Sequence, residues 1–332
     1  MASNLATYDS VPQGGSMAKT ILNIILALLV LFVILVSAYF IYLNIPGTPE
    51  ALRPLFHDSN QLQIQNLSGI VSQNRSNMKF NHNNISYTLD ASCNEEKTSR
   101  MEEAFDEIHN LTKTIGFIRV NDNPDIDISC SRDVLQTAEG DYFIAGEGGA
   151  RKIIPTGKYN VITSGVILLY DSSYERKCDW PNVEIHELMH VFGFEHSGDK
   201  QSLMYPILES CDQRLDSSIV NSLVLLYLEK NLPDLYFENV SAVKSGRYLD
   251  FNISVKNSGD IDSPNVSLSV IDEGGRVYSP DLGEMKIGAG VYFQITNLKL
   301  SSRSSKNISL VLDQNNTIEE LDKENNVARL LM

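Results

Sequence analysis

The sequence predicts an α+β domain on a mixed sheet, then an all-β sandwich, both carried behind an N-terminal transmembrane helix. Three observations predict it. An uninterrupted apolar run occupies residues 21–43, helical and strand patterns alternate over 84–232, and short alternating strands separated by turns fill 233–332. The expected organisation is a cytoplasmic tail (1–20), an anchor (21–43), a stalk (44–83) and the two domains (84–232 and 233–332).

The apolar run carries no charge, and only Asn23 and Ser37 are clearly polar. At about 1.5 Å per residue it is long enough to cross a hydrocarbon layer of ~30 Å. Val36-Ser37-Ala38 would suit cleavage of a signal peptide, but the run continues through Tyr39 to Leu43, beyond the usual signal core. An uncleaved anchor is therefore expected. Lys19 before the span, against Glu50 and Arg53 after it, gives only a faint orientation bias. Two other features place the body outside. The sequons Asn66, Asn74, Asn84, Asn110, Asn239, Asn252, Asn265, Asn307 and Asn315 all follow the span. So do all four cysteines, none in a CxxC spacing, which fits disulfides in an oxidising compartment.

The stalk expectation over 44–83 rests on its Asn, Gln and Ser content, with Pro46 and Pro54 and little periodicity. From residue 84 the pattern changes. Strands are predicted at 85–89, 116–120, 125–130, 151–154 and 161–169, with a glycine-rich loop at 140–149. Met101, Ala104, Phe105, Ile108 and Leu111 define a helix over 95–114. Pro181 and Gly193 bracket a second over 181–192, and a third covers 216–230.

The chain has 27 basic and 42 acidic residues, a net charge of −15, most of it in 81–232. No region has the basic stripe needed to neutralise phosphates, which excludes nucleic acid as a partner.

The chemistry concentrates at 186–196, HELMHVFGFEH. His186 and His190 stand at i and i+4 on one helix face, close enough for two imidazoles to reach one ion, with Glu187 beside the first. Gly193 ends the helix, and His196 can return as a third ligand. Three neutral imidazoles leave a fourth position of Zn²⁺ open, the pattern of a catalytic site.

This stretch resembles the zinc signature of the metzincin metallopeptidases, HExxHxxGxxH. Ser202-Leu203-Met204-Tyr205-Pro206 resembles their Met-turn, and Ser197 after the third histidine points to the matrixins. The resemblance implies a metzincin-like sheet with an active-site helix and one catalytic zinc held by His186, His190 and His196. Glu187 would be the general base and Met204 a floor beneath the metal. It also implies an extended polypeptide substrate beside the edge strand at 149–154, with Pro206, Ile207 and Leu208 walling a specificity pocket. Disulfides Cys93–Cys130 and Cys178–Cys211 follow from the same comparison. Met189 replaces a usual glycine, and Pro206 stands where some metzincins use tyrosine as a further ligand. No cysteine precedes the domain, so no cysteine switch is expected. His57, His82 and His109 lie outside the segment that supplies a structural zinc; structural Ca²⁺ is left open.

After Leu232-Pro233-Asp234, about seven strands are expected. Leu249, Phe251, Ile253 and Val255 alternate with polar residues, as do Val266/Leu268/Val270 and Ile308/Leu310/Leu312. With turns at 257–259, 274–275 and 315–316, this is an Ig-like sandwich. It resembles CARDB-type adhesion modules, which suit either a spacer or a module binding glycan or protein. Two functions follow: a membrane-anchored extracellular zinc endopeptidase, or a surface adhesion protein whose peptidase-like domain does not cleave. An intact Glu187 favours the first.

Overall fold

The structure, a computed structural model, describes residues 16–56, 72–136, 142–171 and 178–331. Most of the expected tail, His57, the Asn66 sequon and Gly140 lie outside the described residues. The fold is mixed α+β, with four α-helices and a β-rich C-terminal domain among the described residues.

Helix α1 (Ser16–Asn44) is apolar on all faces, and side chains such as Leu28, Phe32 and Tyr39 are exposed. No described residue covers them. A helix apolar all round and exposed along its length until Arg303 and Tyr248 meet its last turn is suited to lipid.

The segment that follows departs from the expected stalk. Residues 49–56 form strand β1 (Pro49–Phe56), which belongs to the C-terminal sandwich. Its alternation is short but real: Leu52 is buried in the sandwich core while Ala51 and Arg53 face out. Residues 78–80 likewise form a strand, β2 (Met78–Phe80), wholly buried in the first domain. The polar composition concealed both, because each buries only a few side chains.

The first domain continues with β3 (Asn84–Leu89), α2 (Glu95–Thr112), β4 (Gly116–Arg119), β5 (Ile126–Ser131), β6 (Leu135–Gln136), β7 (Phe143–Ile144), β8 (Gly146–Pro155) and β9 (Asn160–Tyr170). Helices α3 (Asn182–Val191) and α4 (Ser217–Leu228) complete it. Asn94 starts α2 by accepting from the Lys97 N–H at 2.8 Å. Lys113, left-handed at φ 58°, stops it two residues before the expected end. The strands order β2-β9-β5-β3-β4, all parallel, and β8 runs antiparallel along the outer edge of β9. The predicted strand 151–154 is thus only part of a ten-residue edge strand that takes in residues 146–149 of the expected glycine-rich loop. Met101, Phe105 and Ile108 of α2, Ile185 and Leu188 of α3, and Leu223 of α4 share one core with the sheet. Bridges join Cys93 to Cys130 and Cys178 to Cys211, with Cα separations of 4.9 and 5.3 Å.

The sandwich comprises β10 (Leu235–Ser245), β11 (Tyr248–Asn257), β12 (Ser263–Asp272), β13 (Gly275–Tyr278), β14 (Asp281–Met285), β15 (Gly290–Lys299), β16 (Ile308–Leu312) and β17 (Val327–Leu331). Leu249, Phe251, Ile253 and Val255 point inward as the alternation requires. Strand β1 bridges its two sheets. Residues 49–52 pair with β10, residues 53–56 with β17, so one strand covers two otherwise open edges.

The two domains meet across a buried ion pair. Lys79, on β2, places its Nζ 2.9 Å from Asp260 of the sandwich, and both side chains are fully buried. The same ammonium donates to Asn231 Oδ1 at 2.7 Å and lies over the rings of Tyr159 and Tyr227.

Candidate metal centre

Helix α3 and the turn after it bring the three histidines together. Gly193 has φ 85°, which a residue with a side chain adopts at a cost, and a Cβ there would come within 2.2 Å of the Met78 sulfur. The chain reverses at this point and returns His196 to His190 and His186.

Their Nε2 atoms lie 3.0, 3.2 and 3.3 Å from one another. His186 Nδ1 is 2.7 Å from the Leu203 carbonyl, and His190 Nδ1 is 2.7 Å from the Phe194 carbonyl. A carbonyl only accepts, so both Nδ1 atoms carry the proton and both Nε2 atoms present lone pairs. Three imidazole nitrogens converging with two lone pairs inward lack donors for one another; a cation resolves this. Zn–N bonds of about 2.0–2.1 Å in tetrahedral geometry put ligand nitrogens about 3.3–3.4 Å apart, close to what is seen. The donor set therefore fits zinc. Burial lowers the pKa of His186 to about 4, and burial also lowers that of His190, so both are neutral near pH 7 as ligands must be.

The segment 202–206 supports this arrangement. Leu203 and Met204 are fully buried, Ser197 N–H donates to the Met204 carbonyl at 2.7 Å, and Leu203 supplies the carbonyl that orients His186. Gln213 Nε2 donates to the carbonyls of Ser202 and Ile207, tying the turn to the segment that follows.

Glu187 is buried beside His186 and faces β8. Burial pushes its pKa up to about 8; the Gly148 N–H bonded to its carboxyl opposes this, and nearby Glu147 and Glu184 add to the rise. The approach of β8 requires glycine. A Cβ on Gly148 would fall 2.1 Å from the Glu187 carbonyl oxygen, and one on Gly146 would fall 2.7 Å from its Cγ. These glycines were read as loop residues. Their close spacing beside an edge strand was the available signal for backbone passing over another element.

The histidines and Glu187 line an open cleft of about 610 Å³, with Pro206, Ile207 and Leu208 on its wall. Arg100 and Asn182 also line it and were not anticipated. Arg100 ties α2 to the start of α3, donating to the carbonyls of Cys178 and Trp180 at 2.9 Å and to Glu184 at 3.3 Å. His82 and His109 stand apart from the triad, bonded to Asp125 and to the Ile115 carbonyl. Met189 is buried in the core.

The domain is thus a sheet of parallel strands with one antiparallel edge, with a three-histidine group carried by one helix and the turn after it. Residues 79–227 match the Matrixin family model (Peptidase_M10), and residues 232–329 match the CARDB model. The chain thus carries a matrixin domain, which implies zinc dependence and polypeptide substrates, followed by a CARDB domain. No curated protein matches the chain. Among solved structures it is similar to the CARDB domain of the PF1109 protein from Pyrococcus furiosus, crystallised with di-metal ions. There the identity is 18%, over 30% of this chain and 87% of that one, with a TM-score of 0.25. A domain from Methanosarcina acetivorans, named for the cell surface, gives 16% identity over 30% and 90%, also at 0.25.

Proposed function

We propose that this protein is a single-pass, membrane-anchored zinc endopeptidase with its N-terminus inside the cell and its two domains outside. The domains are taken as 79–227 and 232–331, the second completed by β1. The convergence of three Nε2 atoms within 3.3 Å of one another beside a buried carboxylate carries the reading. His186, His190 and His196 would hold one zinc, which supplies a Lewis acid that polarises a peptide carbonyl and makes water easier to deprotonate.

Glu187 accepts the proton of the attacking water and returns it to the departing amine. Burial raises its proton affinity, and a cation held by the three histidines would oppose that rise and favour the carboxylate form that accepts the proton. The substrate lies extended along β8, whose outer edge pairs with no strand among the described residues. Pro206, Ile207 and Leu208 receive a substrate side chain. The exposed apolar surface of α1 supports the anchor, and the position of every cysteine and sequon after it supports the orientation.

The test is digestion of a pool of unstructured peptides by the purified protein, with and without chelator. Cleavage abolished by chelator and restored by zinc supports the proposal. Tight zinc binding without cleavage of any peptide overturns it in favour of a binding role.

A further inference from the structure

The sandwich is electrically polarised along its strands. Its far end, docked on the matrixin domain through Asp260 and Glu319, is dominated by acids, including Asp262, Glu284, Asp322 and Glu324. Its near end consists of the turns at 245–248, 272–275 and 300–307, which contact one another through Arg247 with Leu300 and Ser301, and Asp272 with Ser301. Here Arg247, Lys299, Arg303 and Lys306 gather, with Lys299 and Lys306 exposed. Of the exposed acids at this end, Glu273 is engaged by the backbone N–H groups of Lys306 and Asn307, and Glu50 stands opposite Lys244 in the ladder. A chain of net charge −15 thus concentrates cations at one end of one domain.

That end is joined to the exit of α1. Arg303 donates to the carbonyls of Tyr42 and Ile45 at 2.8 and 2.6 Å and lies over the Tyr42 ring at 4.7 Å. Tyr248 donates to the Asn44 carbonyl at 3.2 Å. Strand β1 then enters the sandwich three residues after Pro46, so only a short connection separates them and the sandwich can tilt on it. Tyr39, Tyr42 and Tyr248 therefore cluster at the depth where a spanning helix leaves hydrocarbon, the level favoured by tyrosine.

We propose that this basic end of the CARDB domain is a lipid-headgroup surface, which seats the sandwich upright on anionic phospholipid. The inference rests on the anchor reading above. The sandwich then acts as a pedestal. Its long strands of ten or eleven residues give it a height of about 33 Å. Strand β8 runs from the sandwich contact, where Pro155 lies against Gly288, to Gly146 at Glu187. That adds up to about 30 Å. The cleft is held well away from the bilayer, which selects substrates standing off the membrane over the membrane-proximal parts of neighbouring proteins.

The test uses the full chain in lipid nanodiscs containing phosphatidylglycerol and a headgroup-nitroxide lipid. A fluorophore is attached at Ser302→Cys, near the anchor, or at Gln314→Cys, at the far end. Most of the fluorescence should be lost at position 302 and none at 314. Lys299→Glu with Lys306→Glu should relieve the loss at 302, as should replacing phosphatidylglycerol by phosphatidylcholine. If the chain inserts but the 302 label is unquenched, or both labels are quenched alike, the seating is wrong and the anchor reading stands. If quenching at 302 ignores both charge reversal and lipid charge, headgroup recognition is overturned. Failure to enter nanodiscs overturns the anchor and the seat together.

Discussion

Asp260→Ala removes the carboxylate paired with the ammonium of Lys79 at the junction of the two domains. Both side chains are fully buried, and after the change Lys79 keeps the Asn231 oxygen, two tyrosine rings and the weaker, longer-range attraction of Glu229. Breaking such a pair on one side leaves an uncompensated buried charge, costing about 3–5 kcal/mol, whereas an exposed pair costs at most ~1. At roughly 2–4 °C per kcal/mol for bodies of this size, the melting temperature should fall by about 6–20 °C. The assay is thermal unfolding of the full chain in detergent, followed by near-ultraviolet circular dichroism. Replacing both partners with apolar residues, Lys79→Met with Asp260→Leu, should recover most of the loss, since neither charge is then stranded. A cost below ~1 kcal/mol for Asp260→Ala would mean that the pair is hydrated and that the domains are not joined as described.

Two further predictions follow from the site and its supports. Gly148→Ala should force β8 off Glu187, because the added Cβ has no room 2.1 Å from a carbonyl oxygen. A displacement near 1 Å costs about 10²-fold in turnover, measured on a peptide substrate with zinc content unchanged by elemental analysis. Cys178→Ala with Cys211→Ala opens a bridge with a sequence separation of 33, and chain entropy puts the loss near ~3–4 kcal/mol, read from denaturant unfolding. Loss of activity should accompany it at temperatures where the wild type is stable, because Cys178 lines the cleft and Cys211 follows Ser210, which also lines it.

The candidate site was legible because its information is local. His186, His190 and His196 lie within one helix and one turn, where periodicity and a single glycine define direction. The inward phase of Leu249 to Val255 was legible for the same reason. What escaped was nonlocal. Strand β1 contains two prolines and finds its partners in Ala242 and Ala328, far along the chain, so nothing near Leu52 marks it as sandwich. Lys79 reads as a surface residue, because lysine is almost never fully buried unless paired, and its partner lies in another domain. Gly146 and Gly148 read as loop because glycine weakens a strand pattern even where close backbone approach demands it.

The central claim is tested most directly by Glu187→Gln, which keeps the side chain's shape and removes only the charge that accepts a proton. Zinc content, by elemental analysis, should remain near one per chain, while peptide turnover falls by about 10²–10⁴. His190→Ala provides the contrast, since it removes one of the three imidazoles and should weaken zinc binding itself. Equal cleavage by Glu187→Gln and the wild type would contradict the account.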